Sequence, residues 1–235
     1  MGLSAEEWGI VRLSLEVSLA AILGVLPVAF GLAWVLARAR FPGKILLDAL
    51  VHLPLVLPPV VVGWLLLIAF APAGPAGRVL GALGLSVLFR WTGAAIAAGV
   101  MALPLMVRAI RLSLEAVDPR LEAAARTLGA GPWRTFATIT LPLASPGVLA
   151  GVVLGFARSL GEFGATITFV SNIPDETRTL PLAIYAALQL PGGDNAVWRL
   201  AAVSVALSLA ALVASEALSR SAGHGQMQGR GGHVL

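Results

Sequence analysis

Two groups of charged and hydroxyl residues interrupt an otherwise apolar chain. The first lies around Leu121 to Pro142, LEAAARTLGAGPWRTFATITLP, where Arg120, Glu122 and Arg126 sit among alanines between two long apolar segments. The second is Arg158-Ser159-Leu160-Gly161-Glu162 at the end of an apolar segment, followed by Thr166, Thr168, Ser171 and Asn172. Charges at membrane depth are costly, so they pair or face a cavity. Arg158 and Glu162 have i, i+4 spacing. They either pin a helix end as an ion pair or line a polar pathway or gate. The hydroxyls and the amide add donors without net charge. They suit weak solvation of a polar solute, and equally the packing of helices through small polar residues.

Covalent catalysis finds no support. An enzyme buried in lipid needs a constellation at one depth, such as Ser with His, paired Asp, or a His-Glu metal motif. His52 is the only histidine near a span, and the charge-free spans carry no Asp. His52 is a packing residue before it is a proton or substrate group. With no cysteine there are no disulfides, thiolate metal sites or cysteine nucleophiles. His224 and His233, in a Gly-rich tail, are solvated residues, and no metal site and no cofactor are expected. The pattern G-x-x-x-x-G-K-[ST] is absent and Lys44 is the sole lysine, so any ATPase must be another polypeptide.

The elements that position these groups follow from local signals. Asp118-Pro119 supplies a cap and a first-turn proline. Leu121, Ala124, Ala125 and Leu128 then share a helix face, with Glu122 and Arg126 as an i, i+4 pair elsewhere. Gly129 ends the helix and Gly131-Pro132 turns the chain. From Pro119 to Leu128 this is a rod of about 15 Å. It suits docking into a groove on a soluble partner, or resting on lipid.

Hydrophobic residues make up 58% of the chain and charged residues 12%, against about 25% charged in a soluble domain. Charge-free runs span Val17–Ala37, Ala49–Ala71, Trp91–Val107, Thr135–Ala157 and Leu200–Ser215. A bilayer core about 30 Å thick takes about 20 helical residues. The expected fold is therefore all-α: a polytopic integral membrane protein with five transmembrane helices. Pro54, Pro58 and Pro59 predict a kink in the second. Phe163–Pro174 is too short to cross and is expected to be re-entrant or to lie in the outer leaflet. A sixth span requires it to join Leu180–Leu190. Residues 1–221 form one membrane domain, and 222–235 are expected to be a disordered Gly-rich tail.

Lys and Arg set the orientation. Arg38, Arg40, Lys44, Arg108, Arg111, Arg120, Arg126, Arg134, Arg220 and Arg230 fall on one side. Arg12, Arg78, Arg90, Arg158, Arg178 and Arg199 fall on the other. The positive-inside rule then places the N-terminus outside and the C-terminus in the cytoplasm. Trp91 and Trp198 are expected as anchors at the outer interface, Trp34 and Trp133 at the inner one. The pI of about 10.9 needs no nucleic-acid partner. Glu6 and Glu7 replace the positive region of a signal peptide, so none is expected.

The Leu121–Pro142 stretch resembles the coupling-loop signature of ABC importer permeases, EAA-x3-G-x9-I-x-L-P. Gly129, Ile139, Leu141 and Pro142 match in spacing, and Ala124 and Ala125 fill the two alanine places. The glutamate place falls on Ala123, with Glu122 one residue early. Phe156 to Tyr185 resembles the molybdate-importer permeases, and the likeness extends from about Leu15 to Arg220. The resemblance implies a homodimer in a bacterial inner membrane, two cytoplasmic ABC ATPase subunits, and an extracytoplasmic molybdate-binding protein. It implies ATPase coupling through Arg120, Leu121, Glu122, Ala124, Ala125, Arg126, Leu128 and Gly129, on a cytoplasmic coupling helix. Sulfate, thiosulfate and tungstate permeases are the nearest alternatives. A membrane-embedded enzyme or a self-contained channel is the alternative of another class.

Overall fold

The computed structural model describes residues 2–227, with side chains described to residue 214. Among these residues the chain is mainly helical, with no strand. The order is α1 (Ala5–Arg38), α2 (Lys44–Val56), α3 (Pro59–Phe70), α4 (Pro75–Ala82), α5 (Trp91–Glu115), α6 (Pro119–Thr127) and α7 (Pro132–Thr135). A π-helical segment (Phe136–Thr140), α8 (Leu141–Leu160), α9 (Gly164–Val170), α10 (Leu180–Leu188) and α11 (Asp194–Met227) follow.

Among the described residues four helical stretches are long and apolar enough to cross a membrane: Ala5–Arg38, Trp91–Glu115, Pro132–Leu160 and Asp194–Ala214. A fifth crossing exists if α2 and α3 count as one, and these are bent by 114°. The predicted kink is thus a full corner. Pro58 and Pro59 both lack an amide hydrogen, so the α2 ladder ends at Leu57 and α3 restarts with proline in its first turn. A sixth span does not form. The seven residues of α9 and the nine of α10 are separated by an irregular stretch. α9 packs inside the bundle: Ala165, Phe169 and Val170 are buried with Val62 of α3 and Ala94, Ala97 and Ala98 of α5.

α5 is the central helix, with 67% of its apolar window buried against 6% for α11. Its Met106, Ile110 and Leu114 pack with Ala29, Ala33 and Leu36 of α1 and Ala144 of α8. The crossing of α5 and α8 is close because Gly147 and Gly151 present no side chain. A Cβ on Gly147 would strike Ser113 and the Ala109 carbonyl, and one on Gly151 would lie 3.2 Å from Ile110. Small residues one turn apart are the usual means of bringing membrane helices together. Outward positions such as Leu19, Leu23, Trp64, Ile68, Leu209 and Val213 are exposed. That apolar exterior is what a lipid solvent requires. Of the expected tail, residues 228–235 lie outside the described residues, and α11 continues to Met227.

Candidate functional site

α6 and its flanks form the first candidate site. Asp118 accepts the Arg120 amide at 2.9 Å and Pro119 opens the helix. At the other end Gly129 adopts φ +85°. Its amide bonds the Arg126 carbonyl at 3.0 Å, and the Ala130 amide bonds the Ala125 carbonyl at 3.0 Å. This paired closure satisfies carbonyls that a helix end leaves free, and it needs the left-handed conformation that glycine adopts cheaply. α6 is therefore a nine-residue rod fixed at both ends.

No residue of α6 is buried. Leu121 is 48% exposed and Leu128 88%; Arg120, Ala124 and Arg126 are exposed, and Ala125 is half-buried. Glu122 departs from the expected pairing. It turns away from Arg126, and its side chain is only 15% exposed. Its Oε1 lies 2.8 Å from Nη2 of Arg38, and its Oε2 accepts from Nη1 of Arg38 at 3.3 Å. Oε1 also accepts from the Thr140 hydroxyl at 2.7 Å. Arg38 donates further to the Leu114 carbonyl at 3.3 Å and lies 5.7 Å from the Trp34 ring centre. A helix normally hides its apolar face and shows its charges. α6 keeps Arg120 and Arg126 outward but leaves Leu121, and Leu128 at its C-cap, uncovered and turns one carboxylate inward.

Arg38, expected as a basic loop residue, instead binds Glu122 and lies beside Trp34, and Thr140 binds the same carboxylate. Trp34 stands edge-on to Phe136 at 5.2 Å, and Trp133 meets Phe136 at 6.2 Å. Trp34 is thus part of a packed aromatic cluster, whereas Trp133 is 83% exposed, as an anchor would be. The only available signal for the Arg38 contact was an unusual one: a carboxylate displaced by one position within an otherwise regular motif.

The second candidate site joins α8 to α9. Nη1 of Arg158 lies 2.7 Å from Oε2 of Glu162, whose side chain is 2% exposed. Oε1 of Glu162 accepts the Ala165 amide at 2.8 Å, which caps α9. Ser159 and Thr166 are buried, and the Ser159 hydroxyl has no hydrogen-bond partner. Thr168 donates to the Gly164 carbonyl at 2.9 Å. Arg158 and Glu162 meet at the break between the helices, with Thr166 and Thr168 in α9 beyond it.

Ser171 and Asn172 belong to the loop beyond. Ser171 has φ +66°, and Asn172 Oδ1 accepts from Arg178 at 3.1 Å. That loop is organised by Thr177, a residue the sequence did not single out. Its hydroxyl donates to the Ser171 carbonyl at 3.0 Å and accepts the Ile173 amide at 2.8 Å. His52 lies 2.9 Å from the Asp48 carbonyl through Nδ1, and Asp48 pairs with Arg111 at 3.0 Å. His52 is thus a local partner of Asp48 within α2.

The chain is thus a helical membrane bundle that carries an exposed, doubly capped helix between two of its long helices. Residues 26–224 match the family described as "Binding-protein-dependent transport system inner membrane component". The chain belongs to that family. It is 58% identical over 221 residues to the molybdenum transport system permease protein ModB of Escherichia coli K12, covering 94% of this chain and 96% of that one. It is 57% identical to the corresponding ModB of Haemophilus influenzae, covering 89% and 92%. Among solved structures, a bacterial ABC transporter involved in import of the acidic polysaccharide alginate superposes with TM-score 0.68 at 18% identity, over 94% of this chain and 80% of that one. That likeness concerns the fold alone.

Proposed function

We propose that this chain, paired with a second copy of itself, forms the translocation path for molybdate in an ATP-driven importer, and carries tungstate by the same route. The observation that carries the substrate reading is the near-full-length likeness to permeases named for molybdenum transport. The exposed apolar face of α6 supports docking on a cytoplasmic ATPase, because a rod with uncovered leucines and fixed ends suits a groove. The excess of Lys and Arg on the α6 side supports an outside N-terminus and a cytoplasmic C-terminus.

In this reading ATP binding closes the two ATPase subunits and moves α6, which opens the path outward. An extracytoplasmic molybdate-binding protein then delivers its oxyanion, and hydrolysis restores the inward state. Arg158, Ser159, Glu162, Thr166, Thr168, Ser171 and Asn172 are proposed to line or gate that path. Arg158 and Glu162 neutralise each other, and the hydroxyls offer weak contacts, which favours passage over retention. Molybdate and sulfate share charge and shape, so discrimination falls to the delivering protein.

The test is ATPase stimulation and anion uptake in proteoliposomes holding the permease, its ATPase and anion-loaded binding protein. Molybdate and tungstate are expected to stimulate. Stimulation by sulfate but not molybdate would overturn the substrate while leaving the permease standing.

A further inference from the structure

α6 has few means of moving the rest of the permease. It buries no residue, so packing alone would let it slide or tilt without dragging its neighbours. Directional, charge-assisted hydrogen bonds can hold where packing does not, and a two-pronged guanidinium–carboxylate contact fixes orientation as well as distance. The one such contact from α6 is made by Glu122.

Its partners belong to different elements. Arg38 is the last residue of α1 and also holds the Leu114 carbonyl at the end of α5. Thr140 ends the π-helical segment that leads into α8, and is 1% exposed. One carboxylate therefore ties α6 to α1 and α8 directly, and to α5 through Arg38. The π segment closes with the Leu141 amide on the Phe136 carbonyl. Such single π turns inside α-helices mark places where a helix carries an accommodated extra residue, often at functional positions.

The one-residue displacement of the glutamate now has a physical sense. Ala123 is exposed, so a carboxylate there would face a docked partner. At position 122 it faces the permease itself.

We propose that Arg38, Glu122 and Thr140 form the transmission clamp of this permease. The cluster converts displacement of α6 into movement of α1 and α8, and Glu122 serves it instead of contacting the ATPase. This rests on the reading of α6 as the ATPase-docking helix. Arg38, Glu122 and Thr140 are positioning residues, acting through the helices they join.

The clamp is tested in proteoliposomes of the full permease–ATPase complex with molybdate-loaded binding protein. The readouts are ATPase co-purification, ATP hydrolysis, and molybdate imported per ATP. Glu122→Gln, Arg38→Gln and the milder Thr140→Val are expected to retain the ATPase and hydrolyse ATP. Import per ATP should fall by about 5- to 150-fold for the first two, the span of typical coupling between linked sites. Arg38→Lys keeps the charge without the fork and should fall between. Arg38→Glu combined with Glu122→Arg should recover part of the ratio.

A merely structural role would lower complex yield, hydrolysis and import together and leave the ratio unchanged, which overturns the clamp. Loss of the ATPase in Glu122→Gln but not in Arg38→Gln would place Glu122 in the ATPase contact and also overturn it. A wild-type permease that brings down no ATPase removes the docking reading and the clamp with it.

Discussion

Glu7 and Arg199, 192 positions apart, join the beginning of α1 to the beginning of α11. Oε1 of Glu7 accepts from Nε of Arg199 at 2.9 Å and lies 2.8 Å from its Nη2. Oε2 of the same carboxylate accepts the Ser4 amide at 2.7 Å, completing a capping box. The Glu7 side chain is 7% exposed and that of Arg199 36%. The pair therefore responds unequally to truncation. Arg199→Ala strands a buried carboxylate, while Glu7→Gln leaves an arginine that water can reach. We expect Arg199→Ala to cost about 2 kcal/mol and Glu7→Gln about half of that. Thermal unfolding of the purified permease in detergent measures both, and the reverse order would show that the arginine is the less solvated partner.

Gly129 is expected to be intolerant of a β-branched side chain. Valine at φ +85° costs about 1–2 kcal/mol at that residue. Gly129→Val should open the end of α6 while the membrane helices remain inserted. Pull-down of the ATPase by the tagged permease should fall, with permease yield unchanged. Full recovery of the ATPase would separate this loop from docking.

Gly147→Val tests the α5–α8 crossing. The added Cβ meets Ser113 and the Ala109 backbone, which cannot swing aside as a long side chain can. Overpacking of this kind costs about 1–3 kcal/mol. The variant should unfold at lower temperature, and Ser113→Gly should relieve part of the loss. No change on thermal melting would mean that the two helices part easily.

Arg158 and Glu162 should behave as a coupled unit. Glu162→Gln leaves a partly buried arginine without its partner, at a cost of about 2 kcal/mol, and Arg158→Gln/Glu162→Gln should recover much of it. Molybdate uptake by the stable double variant separates the roles: weak uptake keeps Arg158 on the path, full uptake leaves the pair structural.

Topology is open to labelling because the chain has no cysteine. With single cysteines introduced at Ala130 and Asn195, a membrane-impermeant thiol reagent should reach the first only from the cytoplasmic side and the second only from outside. Labelling of both from one side would refute the orientation proposed from the Lys and Arg distribution.

Local chemistry and counting along the chain account for the helices and their ends. Its long charge-free runs require helices, because lipid offers no partner to an unpaired backbone amide. Asp118, Pro119 and Gly129 mark the ends of α6 through the free groups that any helix end must satisfy. Arg158 and Glu162 pair as their i, i+4 spacing allows, with Glu162 just beyond the end of α8. Tertiary structure alone decided what depends on distance across the chain. Glu122 had a local partner four residues away in Arg126, yet it bonds Arg38 and Thr140. The folded bundle holds those two beside it out of water, where a charged hydrogen bond is stronger than on an open helix face. The same holds for the corner at Pro58 and Pro59. Prolines predict a break in the ladder but not its 114° angle, and α3 beyond the corner packs against α9 through Val62. It holds as well for Phe169, whose burial inside the bundle no seven-residue periodicity could disclose.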